Sequence, residues 1–417
     1  MKNKLVIVAI LCCIGLVFFL FRGKEEDSPV VPGRWVEHVA PRQSLSSAQQ
    51  KAIKDLEGIG YLAGYTQAPV ENGITVYEPE IAYNGYNLYV SGHAPEAILM
   101  DMEGNRLHKW VCSFQTAWPD CDDTSKKTQN FWRRVYLYDN GDLLAIFEGY
   151  GMIKLDKDSN ILWIFDKKPH HDIFVDEQGM IYVLTREGKV DPEYNPKKPI
   201  LEDFVSVLDP QGKEVKRVSV LKALENSYYS PVLQLDDIHG DFLHTNTVEL
   251  LDGSHESLNP AFKKGNVLIS ILHLNLIAVL DMETQTVVWA MSNLWKLQHQ
   301  PTFLDSGNML IFDNQGNHGL TRVLEFNPNT QEIVWDYPND DSVYLFSSSC
   351  GSCGRLPNGN TLISETNNGR AIEVTPDRDI VWEFINPHRA GKNDELIASL
   401  FEVIRIEPDY CSGWLKN

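Results

Sequence analysis

Imidazole side chains recur at matching points along this chain. His170-His171-Asp172-Ile173, Asp241-Phe242-Leu243-His244-Thr245-Asn246 and Gln298-His299-Gln300-Pro301 each stand on the approach to a strand-forming stretch. Near neutral pH an imidazole acts as a nucleophile or as a general acid and base, and it also ligates metals. A single histidine at the start of a strand is ordinarily a structural residue. Three of them, His171, His244 and His299, at equivalent points of successive units imply one shared site, with Asn246 beside them. His273, in Ser270-Ile271-Leu272-His273, lies on a strand between them, and strand alternation turns it to the face opposite Leu272.

The elements that must position these groups form a repeat. In each copy an Asn-Gly or Gly turn leads into a strand. A second strand ends in an apolar residue, often followed by Asp, and after a polar turn a third strand ends in Trp or another apolar residue. The clear copies run from Gly85 to Trp110, Asn140 to Trp163, Gly265 to Trp289, Gly307 to Trp335 and Asn358 to Trp382, with a divergent copy from Gln178 to about Val218. A strand-rich period of about 40–50 residues is the signature of a β-propeller, and six copies predict an all-β, six-bladed propeller. In that fold the first strand of each blade lines a central channel, so residues far apart in sequence converge there. The periodic tryptophans are read as packing between blades rather than as a binding wall. Gly188 to Leu201 reads as a long loop, and Leu221 to Asn226 as helical.

The remaining features place the propeller. Lys2 and Lys4 precede an apolar run from Leu5 to Leu20, followed by Arg22 and Lys24. The run is close to bilayer-spanning length and no small-residue cleavage site follows it, so residues 1–24 read as a cytoplasmic stub and transmembrane signal anchor. Residues 25–75 read as a tether with a short helix from Ser44 to about Leu56, and 76–417 as the propeller. This organisation predicts a single-pass inner-membrane protein with its propeller in the periplasm. Cysteine usage fits export: Cys112 with Cys121, and Cys350 with Cys353, are expected as disulfides, leaving Cys411 unpaired. The formal net charge of -20 argues against nucleic-acid binding, which needs a basic face.

His171-Asp-Ile, His244-Thr-Asn246, Gln298-His299 and Phe312-Asp313-Asn314 resemble the motifs of bacterial arylsulfate sulfotransferases. So do Leu356-Pro357-Asn358-Gly359-Asn360-Thr361-Leu362-Ile363, Asn368-Gly369-Arg370 and Glu373-Val374, and the resemblance covers roughly residues 80 to 390. It implies a six-bladed periplasmic propeller that moves a sulfuryl group from a phenolic sulfate ester to a phenolic acceptor, without a cofactor. It implies further that His299 attacks sulfur and carries a transient sulfohistidine. His244, Asn246 and His171 would then bind sulfuryl oxygens or move the phenol proton. This chain departs from the pattern at Leu272, which stands where the family has an arginine; Arg186, Arg355 and Arg370 are the other candidate donors. Two alternatives remain at this level. One is a metal-dependent propeller enzyme using His171, His244, His299 and His273; the other is a non-catalytic envelope scaffold.

Overall fold

The computed structural model describes residues 65–121, 127–235, 238–340 and 343–415. Six antiparallel sheets follow one another along the chain. Their innermost strands, Leu400–Ile406, Arg134–Leu137, Pro169–Val175, Thr245–Leu250, His299–Phe303 and Ser352–Arg355, belong to blades one to six respectively. The first blade is completed by Tyr86–Ser91, Glu96–Met100 and Arg106–Val111, so the C-terminal strand closes the ring against the first blade. Gly73–Tyr77 adds a fifth, outer strand to the sixth blade, which carries the sheet region a few residues ahead of the expected start at 76. A small extra sheet pairs Tyr65–Gln67 with Leu396–Ala398 and Arg389–Ala390. The fold is the expected all-β propeller.

The repeated phrase has a local physical cause. In the first three blades an aspartate at the end of the third strand takes backbone N–H groups of the following turn. Asp101, Asp156 and Asp209 each accept from residues two and four positions on, which pins the turn before the outer strand. The tryptophans then bridge blades. Trp110 Nε1 donates to Gly141 O at 2.9 Å, Trp335 to Pro376 O at 2.9 Å, and Trp382 to Met102 O at 3.0 Å. Each bond reaches from one blade to a turn of the next, and the last joins the sixth blade to the first. The apolar clusters likewise lie between neighbouring blades, as with Leu310, Phe312, Ile363 and Ile372 of the fifth and sixth.

Several expectations change. The loop read from 188 to 201 is present as the ten-residue connection 190–199, and the strands on either side, Ile181–Lys189 and Ile200–Leu208, pair along their whole length. The helix read near 221 is present as Val220–Glu225, capped by the Ser219 hydroxyl on Lys222 N at 3.0 Å. Neither expected disulfide forms, and the five described cysteines are unbridged. Gly351, at a φ of 112°, turns the chain between Cys350 and Cys353. The Cys350 sulfur accepts from Arg133, while Cys353 packs in the apolar cluster with Leu310 and Ile363. The two thiols are thus engaged in different surroundings and stay unbridged. Cys112 is packed beside Trp110 and Phe114 in the cluster between the first two blades, its thiol on Ser113 O. The apolar run at 5–20 and the tether helix at 44–56 lie outside the described residues. No described helix is long and apolar enough to cross a membrane.

Candidate active site

The inner strands of blades three, four and five all begin irregularly. Their pairing shifts register between His170 and Ile173, between Thr245 and Thr247, and between His299 and Thr302. His171, His244 and Gln300 take left-handed φ values of 55°, 53° and 50°. Such conformations are costly for non-glycine residues and cluster at functional sites. A bulge re-aims the side chains beside it, and here it brings side chains of different blades together. The His171 and His244 rings lie 4.8 Å apart and meet edge to face. His170 adjoins His171, with Nδ1 to Nδ1 at 2.8 Å. His299 is close enough that the charge of His244 acts on it.

His299 has one defined tautomer. Its Nδ1 lies 2.8 Å from Asn314 Oδ1. The Asn314 amide nitrogen donates to Ser347 O and Cys350 O, each at 2.7 Å. Both amide hydrogens are therefore spent on carbonyls, and Oδ1 must accept. It follows that Nδ1 carries the proton and Nε2 the lone pair. Burial lowers the His299 pKa to about 3, opposed by the Asn314 bond and reinforced by the charges of Arg133 and His244. The ring is neutral and nucleophilic at pH 7.

His244 has a different partner. Its Nδ1 lies 2.6 Å from Asp241 Oδ2. Burial opposes ionisation of Asp241, but His244, His273 and Arg186 outweigh it and hold the carboxyl far below its usual range. A carboxylate bound to one imidazole nitrogen orients the ring and stabilises its charged form. His273 joins this pair, contrary to the alternation argument. The strand ends at Ile271, and Leu272–Leu274 forms a 3-10 turn. That turn swings His273 back, placing its ring 5.0 Å from His244 and its Nδ1 2.5 Å from Asp241 O. Leu272 itself is buried.

Of the other residues singled out, Asn246 donates to Gln298 O at 2.9 Å, and Gln298 returns hydrogen bonds to Ser270 Oγ, Ile271 O and Leu276 O. Together they tie the fourth blade to the fifth and fix where His299 begins. Arg186 is buried in the second strand of the third blade, and its charge acts on His170, His171 and Asp241. Arg370 is not among these groups. Glu383 holds it at 2.6 Å and Glu365 at 3.3 Å, in a surface pocket lined by none of the histidines. Arg355 is likewise paired, with Glu325 at 2.7 Å.

Three groups went unrecognised in the sequence. Asn314 was visible in Phe312-Asp313-Asn314, but not its role. Arg133 and Arg134 sit in Phe131-Trp132-Arg133-Arg134 at the start of the second blade, the same point that His171 holds in the third. Arg134 knits the channel one residue beyond the histidines. It meets Asp172 at 2.8 Å, Gln300 Oε1 at 2.9 Å and His171 O at 3.3 Å, and it pairs with Glu402. These partners come from blades three, five and one. Past this knot lies a separate cavity of about 400 Å³, lined by Asp172, Thr247, Glu249, Gln300 and Phe303 among others.

Among the described residues the ligand atoms of His171, His244 and His299 do not converge on one point as a metal requires. Among the described residues, the group whose ligand atoms converge within 4.8 Å is His93, Glu96 and His388, in the first blade and the segment after the sixth. There the two imidazoles stack at 3.3 Å with planes 8° apart. A bound metal lies in the plane of each imidazole it takes, and one ion cannot lie in two parallel planes.

The fold and site thus define a β-propeller with a buried histidine cluster across the starts of its inner strands. The Arylsulfotransferase (ASST) family model matches residues 134–387, more than half of the chain, and the chain belongs to the arylsulfotransferase family. No curated protein matches significantly. Among solved structures, a protein of unknown function from Bacteroides caccae is similar at a TM-score of 0.53 and 11% identity, covering 78% of this chain and 99% of that one. The WD40 β-propeller domain of Doa1 has a TM-score of 0.44 at 12% identity, covering 82% of this chain and 96% of its own. A streptogramin B lyase has 0.43 at 13%, covering 81% and 96%.

Proposed function

We propose that this protein transfers a sulfuryl group from a phenolic sulfate ester to a phenolic acceptor, with His299 as the nucleophile. The observation that carries the reading is the His299 tautomer, whose Nδ1 is held by Asn314 so that Nε2 keeps its lone pair. In the first half-reaction Nε2 attacks sulfur and an N–S bond forms. The S–O bond to the aryl group breaks, and its electron pair leaves on the phenolate oxygen. His244, steadied by Asp241, delivers a proton to that oxygen. In the second half-reaction His244 takes the proton of the incoming phenol. The phenol oxygen attacks sulfur, the N–S bond breaks, and the pair returns to Nε2. His171 and Arg186 would face the sulfuryl oxygens, where fixed donors lower the barrier as charge develops, while Asn246 holds Gln298 in place. A covalent intermediate entails ping-pong kinetics.

The test is phenolate release from a chromogenic aryl sulfate by the purified full-length chain, with and without a phenol acceptor. Acceptor-dependent release that disappears in His299→Ala, together with an acid-labile sulfuryl group on His299 after rapid quench, supports the reading. Undiminished release by a folded His299→Ala variant rejects His299 as the nucleophile. We also propose that the run from Leu5 to Leu20 anchors the chain in the inner membrane with the propeller in the periplasm. Protection of the propeller from protease added to spheroplasts would overturn that placement.

A further inference from the structure

Two consecutive arginines open the inner strand of the second blade, and only one of them has an acid. Arg134 is neutralised by Asp172 and Glu402. Arg133 is 6% exposed, and among the described residues no carboxylate oxygen lies within 4.0 Å of its guanidinium; the buried acid Glu148 meets His171 at 3.5 Å instead. Its guanidinium lies 5.2 Å over the Phe401 ring, and Nη2 donates to the Cys350 sulfur at 3.3 Å. Phe401 belongs to the first blade and Cys350 precedes the inner strand of the sixth, so the side chain reaches across the channel mouth rather than out to solvent.

Register puts Arg133 level with the histidines. Arg134, Asp172, Gln300 and Glu402 meet in one layer. The residues immediately before them are Arg133, His171, His299 and Phe401. Arg133 is therefore the second blade's member of the layer that holds the proposed nucleophile. Its charge is also among those that bear on His171 and His299.

A buried charge without a counter-charge is expensive. It persists where something else supplies the opposite charge. A planar, forked guanidinium suits two oxygens of one tetrahedral anion, and a thiol or an aromatic face does not replace them. We propose that Arg133 is the sulfuryl-oxygen donor of this site, doing from the second blade what the arginine absent at Leu272 would have done from the fourth. The inference rests on the sulfuryl-transfer reading for its substrate, a sulfate monoester. The anion site itself stands on the geometry of Arg133.

The test separates the two. Purified full-length protein, Arg133→Gln, Arg133→Lys and His299→Ala are each melted with and without inorganic sulfate, and each is assayed with a chromogenic aryl sulfate. Sulfate should raise the melting temperature of the wild type and of His299→Ala, and should not raise that of Arg133→Gln. Without sulfate, Arg133→Gln should melt no lower than the wild type, because an uncompensated buried charge has been removed. A purely structural arginine would give the opposite sign. In the assay, Arg133→Gln should lose about 10²–10³-fold in kcat/KM, the scale for one donor to developing negative charge. Arg133→Lys should recover part of that loss. Equal stabilisation of the wild type and Arg133→Gln by sulfate, or none of the wild type, overturns the proposal. Sulfate binding that depends on Arg133 in a protein with no transfer activity would leave the anion site standing and sink the transferase reading instead.

Discussion

Arg133 and Arg134 are neighbours of one residue type at the head of one strand, yet they occupy opposite electrostatic settings. Arg134 lies in a closed knot with Asp172, Gln300 and Glu402 that joins four blades and separates the histidine cluster from the cavity beyond. Arg133 lies one layer away, with an aromatic ring and a thiol for company. A paired buried arginine holds architecture together, and its contacts are complete without substrate. An unpaired one is complete only when an anion arrives. The same contrast divides the histidines: His244 is held by a carboxylate, while His299 is held by a neutral amide. The first arrangement orients a ring beside a carboxylate, and the second leaves a neutral nucleophile.

The comparison breaks most sharply at His299. His299→Ala should lower transfer by roughly a thousandfold or more, measured as initial phenolate release, while far-ultraviolet circular dichroism stays unchanged. Asn314→Leu removes the acceptor that fixes the His299 tautomer. It should cost between about 10² and 10⁴-fold in kcat, and imidazole nitrogen NMR shifts should report loss of the single tautomer. If the tautomer survives, Asn314 does not set it.

Arg134→Met should affect folding first. It leaves the Asp172 and Glu402 carboxylates buried without a partner, at a cost of about 3–5 kcal/mol, read from the denaturant midpoint. A midpoint like that of Arg133→Gln would erase the distinction between the two arginines.

A smaller effect is expected at Glu249 in the wall of the cavity beyond Arg134. Burial pushes its carboxyl up to about 7. The folded state therefore binds this proton more tightly than the unfolded chain does. Its stabilising contribution is full below about pH 4.5 and is lost as pH rises through about 7. Glu249→Gln should flatten the fall in melting temperature over that range, and an unchanged pH profile would show that the carboxyl is already ionised at low pH. The smallest effect concerns the cysteines. Dithiothreitol should leave the melting temperature of the oxidised, purified protein unchanged; a clear drop would mean that disulfides form.

Much of the fold was legible because its signals are local. A turn glycine, an aspartate that caps a turn and an outer tryptophan recur in nearly every blade, and each acts within a few residues or on the adjacent blade. The same holds for the histidine positions at blade starts. Failures came where a residue's direction depends on distant backbone. Alternation sent His273 the wrong way, because the strand stops at Ile271 and the chain turns. Spacing suggested a Cys350–Cys353 bond, while the Cys350 sulfur is taken by Arg133 and Cys353 packs among apolar side chains of the fifth and sixth blades. Arg370 looked available as a donor, and two glutamates already hold it.

The amino-acid sequence by itself determined the six-bladed repeat, the family, and the presence of His171, His244 and His299 at the heads of three blades. Tertiary structure alone decided what each head group is able to do. The His299 lone pair depends on an asparagine whose two hydrogens are taken by carbonyls on a later segment of chain. The pairing of Arg134 depends on acids from the third blade and from the last strand of the chain, and the isolation of Arg133 on their absence. Charge and tautomer are set by neighbours a few ångströms away in space, and in a closed ring a neighbour such as Glu402 lies more than half the chain away from Arg134 in sequence.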